Sequence, residues 1–118
     1  MLTSKADGKT TLSGVFFDSG KTELRPESKS QLDQVAATLK AQPALKIFIV
    51  GHTDNVGALD ANLALSQGRA QAVVAALVQR GIASSRLMAR GIANFAPVVA
   101  NSSEAGRAQN RRVEMVLQ

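Results

Sequence analysis

Residues 44–57 read "ALKIFIVGHTDNVG" and change character halfway. From Ile47 to Val50 the run is β-branched and aromatic, and it is short enough for a strand. Its near-continuous apolarity predicts burial on both faces, as in the middle of a sheet. The second half then delivers the chain's single histidine, His52, with Thr53, Asp54 and Asn55 into a loop ending at Gly57. Such a loop can be a metal site, a catalytic dyad, or a holder for something charged.

After Gly57 the segment from Ala58 to Arg80 is rich in Ala, Leu, Gln and Arg, lacks proline, and runs up to Gly81. It predicts one long helix stopped by the glycine expected just past a helix end. Upstream, Pro26 suits the first turn of another helix, and Leu32, Val35, Ala36 and Leu39 recur at i, i+3, i+4 and i+7, ending before Pro43. Thr11 to Phe17 reads as a first strand closed by the turn residues "DSGK". "SRLMARGI" (85–92) reads as a third strand, Asn94 to Gln109 as a loop, and "RRVEMVLQ" (111–118) as a last strand with one wetter face. The order β-α-β-α-β-β implies an α/β (α+β) two-layer sandwich, a mixed four-stranded sheet with two main helices on one face.

At 118 residues the chain fits one domain, and 45% hydrophobic with 19% charged residues are globular values. No apolar run approaches the ~18–20 residues that span a bilayer, so a membrane is reached only through a segment of a parent protein outside this chain. The absence of cysteine removes thiolate nucleophiles, disulfides and the usual zinc sites. A net charge of +5 suits an anionic partner. Nucleic acid fits poorly, because there is no Trp or Tyr to stack bases and the fourteen Lys and Arg are scattered.

Arg69 is the most telling single residue. On a helix its neighbours are Asn62, Leu65, Ser66, Ala72, Val73 and Ala76, so a guanidinium grows from a mostly apolar face and needs a partner. The loop carrying Asp54 lies just before this helix and can fold back over its first turns. Asp54, Asn62 and Arg69 would then offer an anion, an amide and a cation in one cleft, which suits a zwitterion. The competing reading is a structural ion pair between Asp54 and Arg69, worth only ~0–1 kcal/mol at a surface. His52 with Asp54 offers two metal ligands where a zinc site needs three or four, and no G-x-S-x-G elbow supplies a nucleophile. A cell-wall-acting or metal-dependent hydrolase using His52 and Asp54 is therefore the alternative, and His52 is expected at a strand end, bonded to backbone or a neighbouring loop. Arg107, Arg111 and Arg112 read as a solvated strand end, with Arg111 of interest if its strand runs beside the cleft. Gly68 inside the helix is left as either a packing site or a tolerated residue.

Four motifs stand in order: "FDSGKTELRPES" with Phe17, Asp18, Leu24 and Pro26; "GHTDNVG"; "NLALSQGRAQAVV" with Asn62, Leu65, Ser66, Arg69 and Ala70; and "NSSEAGRAQNRRVE" with Asn101, Gly106, Arg107, Asn110, Arg111 and Arg112. Together they resemble the OmpA-like carboxy-terminal domain, the peptidoglycan-associating module of bacterial envelope proteins. The likeness covers about residues 16–117 of a single 1–118 domain, with 1–10 as a leader or appended segment. It implies a non-enzymatic, cofactor-free module that grips the diaminopimelate of the peptidoglycan stem peptide and tethers a larger protein to the wall. It also implies the periplasm or cell envelope of a Gram-negative-type bacterium, within an outer-membrane or otherwise membrane-anchored protein. By the same resemblance Asp54 receives the ammonium and Arg69 the carboxylate of diaminopimelate, while Asp18 (through its backbone N–H), Asn62, Leu65 and Arg111 line the pocket. Val56 stands where threonine is frequent, and Ala93 and Asn94 replace a frequent glycine and glutamate.

Overall fold

Ile47 and Ile49 are fully buried, Phe48 and Val50 between them only half so, and this alternation marks strand β2 (Ile47–His52). In the computed structural model, which describes residues 9–18, 20–54, 58–92 and 111–118, β2 lies inside a four-stranded sheet. Its neighbours are β3 (Leu87–Gly91), parallel, and β4 (Arg112–Leu117), antiparallel. A short β1 (Lys9–Thr11) closes the sheet against β4, also antiparallel, in the order β1-β4-β2-β3. Helix α1 (Lys29–Ala41) follows a 3-10 turn at Pro26–Ser28, and α2 (Leu59–Gln79) joins β2 to β3 through a second 3-10 turn at Ser84–Arg86. The β-α-β-α-β-β order and the mixed sheet are as the sequence predicts.

The core is one cluster. Leu32, Val35, Ala36 and Leu39 of α1 and Ala70, Val73, Ala76 and Leu77 of α2 join Ile47, Ile49, Leu87 and Val113, which the strand register places on a single sheet face. Both helices therefore cover that face. The opposite face carries Phe48, Val50, Met88 and Val116, half-buried or exposed, so over residues 47–50 burial of β2 on both faces is not what forms, and on β2 only its last residue, His52, is buried on that side. Apolarity along β2 announces its central position, whereas the helices supply only one cover.

The first strand is also displaced from its expected place at Thr11 to Phe17. Pairing to β4 ends when Leu12 N–H donates to the Val113 carbonyl, and the chain turns at Ser13–Gly14. The next donors are taken by side chains: Gly14 N–H bonds Gln31 Oε1, and Phe16 N–H bonds Ser28 Oγ at 2.7 Å. Phe17 keeps only an isolated bridge to Leu24.

Helix ends follow their local chemistry. Gly81 takes φ 95°, and its N–H with that of Ile82 closes onto the carbonyls of Val78 and Leu77, the paired closure expected of a glycine-terminated helix. Arg86 donates to the carbonyls of Leu39, Gln42 and Leu45 and so satisfies the end of α1 from the 3-10 turn that precedes β3. Gly68 has a packing reason: a Cβ there would come within 2.7 Å of the Thr22 methyl, so glycine lets the preceding loop lie on α2. Val56, Ala93, Asn94, the 94–109 loop, and Asn101, Gly106, Arg107 and Asn110 lie outside the described residues.

Candidate binding site

The approach of α2 to the sheet sets the site. Gly51 and Gly91 are partners in adjacent strands, and a Cβ on either would meet α2 backbone at 2.2 Å, the Ser66 carbonyl oxygen and the Gln67 nitrogen respectively. The helix thus rests on bare backbone. Gln67 locks the seat: its Nε2 donates to the Ala89 carbonyl at 3.3 Å and its Oε1 accepts from Gly91 N–H at 2.7 Å. These are groups on the outer side of β3, an edge strand, so one side chain replaces a missing neighbour.

Beyond Gly51 the chain leaves β2 with Thr53 and Asp54, both buried, and Asp54 is 6% exposed. Asn62, Leu65 and Arg69 follow at helical spacing on α2, each half-buried. The Arg69 Nε donates to the Lys21 carbonyl at 2.9 Å and one terminal nitrogen to the Asp18 carbonyl at 3.2 Å, while the guanidinium carbon stands 5.0 Å from the Phe17 ring centroid. Burial pushes the Arg69 guanidinium below its ordinary value, the positive charge of Arg111 adds to that, and Asp54 opposes both. Asp54 and Arg111 are thus close enough for both fields to reach Arg69.

A direct partner of Asp54 among the described residues is Arg111, whose Nη1 lies 2.5 Å from Oδ2. The competing structural pair between Asp54 and Arg69 is not formed, and among the described residues Arg69 makes no ion pair. Arg69 instead spends its donors on loop carbonyls. The Asp18 carbonyl accepts from Arg69, and its carboxylate pairs with Arg25 on the surface.

His52 goes elsewhere. The register sets it opposite Arg112, on the sheet face away from the helices, and its Nε2 lies 2.7 Å from Glu114 Oε1. Arg112 Nε lies 3.1 Å from the other Glu114 oxygen, and the three side chains are 2%, 8% and 9% exposed. His52 does end β2, but its partner is a carboxylate instead of backbone, and Arg112 is buried rather than solvated. With its ring enclosed against Glu114 while Asp54 holds Arg111, His52 forms no dyad with Asp54. Glu114 escaped sequence reasoning; the signal was the alternation that sets Arg112 and Glu114 on the face shared with His52.

The contact with His52 first, and that with Arg112 next, hold the Glu114 carboxyl down to about 2, against the upward push of burial. A carboxyl lowered on folding stabilises the fold above its unfolded value near 4.5, and that stability is lost as pH falls from about 4.5 towards 2. Urea denaturation between pH 6 and 2.5 is expected to show this acid loss in the wild type and a flatter acid limb in Glu114→Gln. Parallel limbs would refute the assignment.

Residues 16–111 match the family model of the OmpA family. The chain belongs to the OmpA family. Among OmpA-family relatives, outer membrane protein A of Bordetella avium is 42% identical over 100 residues, covering 85% of this chain and 52% of its own length. The peptidoglycan-binding protein ArfA of Mycobacterium tuberculosis is 38% identical over 103 residues, 87% of this chain and 32% of its own. The crystal structure of the peptidoglycan-associated lipoprotein from Burkholderia pseudomallei superposes with a TM-score of 0.81 at 38% identity, covering 88% of each chain. This OmpA-family chain spans about half the length of the first of these relatives and a third of the second. None of the three is named as an enzyme. Among the described residues no helix is long and apolar enough to cross a membrane.

Proposed function

We propose that the chain binds peptidoglycan non-covalently, through the diaminopimelate of the stem peptide, and so anchors a larger envelope protein to the bacterial cell wall. One observation carries the reading: Arg69, half-buried and oriented by two carbonyls and an aromatic ring, has no carboxylate of its own among the described residues, yet lies within the field of Asp54. A guanidinium held in this way is ready for an external carboxylate. The free end of diaminopimelate carries an ammonium and a carboxylate on one carbon, which match Asp54 and Arg69. Asn62 and Leu65, on the same helix face as Arg69, would supply an amide and an apolar wall, and Asp18 and Arg111 would border the pocket. The names of ArfA and of the peptidoglycan-associated lipoprotein support the polymer, and the net charge of +5 favours encounter with its carboxylates.

The test is pelleting with insoluble wall. The chain is expected to sediment with wall whose stem peptides carry diaminopimelate and to stay mostly in solution with wall built on lysine, whose side chain has the ammonium without the carboxylate. Equal pelleting with both would contradict the ligand.

A further inference from the structure

The ladder between β2 and β4 ends at the pair of His52 and Arg112, and Asp54 follows two residues later. That strand end is held from both sides. On the helix side Gly51 lies close under the Ser66 carbonyl, which stops the strand from moving towards α2. On the other side His52 Nε2 stands 2.7 Å from Glu114 Oε1, and Arg112 Nε stands 3.1 Å from the second oxygen of the same carboxylate. Glu114 belongs to β4, opposite Val50, so one buried side chain links the end of β2 to the start of β4. Its two contacts hold the carboxyl well below the ordinary carboxylate range, and the link is anionic at neutral pH.

Resting on the ligand reading above, we infer that Glu114 is a positioning residue for the cleft: by joining His52 to Arg112 it fixes the strand end from which the chain runs on to Asp54, and so sets where Asp54 stands relative to Arg69. A zwitterionic end has both charges on one carbon, so the separation of carboxylate and guanidinium that it can bridge is narrow. A displacement of about 1 Å at the strand end is therefore felt in binding as well as in stability. Glu114 lies on the sheet face away from the helices, whereas Arg69 grows from α2. It acts on the ligand through β2, with His52 as the transmitting group.

The experiment titrates free diaminopimelate into the wild type, Glu114→Gln, His52→Ala and Leu39→Ala, well below every unfolding midpoint, with amide spectra recorded for each. Glu114→Gln removes the anion. His52→Ala cuts the link to β2 but leaves Glu114 beside Arg112, and it carries the test if the first variant folds poorly. Leu39→Ala controls for lost stability: Leu39 is fully buried, and its carbonyl accepts from Arg86 just ahead of β3, at the opposite end of β2 from His52. The dissociation constant is expected to rise about fivefold or more in the first two variants, with amide shifts at Thr53 and Asp54. Leu39→Ala, although it melts lower, is expected to stay within about twofold of the wild type. Wild-type affinity in His52→Ala, or an equal loss in Leu39→Ala, overturns the inference and leaves the ligand reading standing. Failure of the wild type to bind diaminopimelate overturns both.

Discussion

Asp54→Ala and Arg69→Ala each lose sedimentation with diaminopimelate-type wall, with affinity lowered by at least about thirtyfold. The size follows from truncating one side of a ligand-facing charge pair, which costs about 2 kcal/mol or more, with ~1.4 kcal/mol per tenfold. The two losses have different local causes. Removing Asp54 takes away the carboxylate beside Arg111 and the negative charge that favours the Arg69 guanidinium, while the positive charge of Arg111 still acts on it. Removing Arg69 leaves Asp54 and Arg111 paired, and it frees only the carbonyls of Asp18 and Lys21, which water can satisfy at this edge. Arg69→Ala is accordingly the cleaner variant, with unfolding midpoint close to the wild type, and Asp54→Asn controls for volume at the buried position. Arg69→Lys should recover little, since one ammonium cannot keep two carbonyl contacts, the ring of Phe17 and a bidentate carboxylate. Undiminished pelleting of both alanine variants would mean that these charges serve the fold alone.

Gly51→Ala and Gly91→Ala are expected to destabilise the protein by about 3 kcal/mol or more, the upper part of the range for overpacking. At either position the new methyl lands 2.2 Å from α2 backbone, an atom that no rotamer change can withdraw. Relief requires the whole helix to lift from β2 and β3, and Arg69, two residues beyond Gln67, lifts with it. Both variants should therefore unfold on the order of 10 °C lower than the wild type, and the folded remainder should bind wall more weakly. Gly68→Ala is the contrast: its obstacle is the end of the Thr22 side chain, and alanine favours a helix interior by ~1 kcal/mol. A melting point for Gly91→Ala equal to the wild type would show that α2 is not seated as described.

What could be read in the residues depended on whether the cause was local. The long helix was legible because composition, the absence of proline and Gly81 all act within a few residues of one another. That the charge of Asp54 reaches Arg69 was legible for a similar reason, since the loop leads directly into the helix that carries the arginine. The pairing of Asp54 with Arg111 was not, because it spans 57 residues and depends on where β4 lies against β2. The same register creates the His52–Glu114–Arg112 cluster, in which three polar side chains are buried by pairing with one another. The first strand was misplaced because its pattern continues past Leu12, while Gln31 and Ser28 claim the backbone donors that a longer strand would need. Gly51 and Gly91 have no sequence signature of close approach at all; only the position of α2 explains them.

The most direct measurement is release of wall-bound protein by free diaminopimelate at fixed ionic strength. Pimelate, which has the carboxylates alone, and cadaverine, which has the amines alone, serve as controls. Binding at the Asp54 and Arg69 cleft predicts that diaminopimelate returns the protein to the supernatant while neither control does so at the same concentration. Retention in the pellet under diaminopimelate, with release by added salt alone, would show instead that the basic surface holds the wall without a specific pocket.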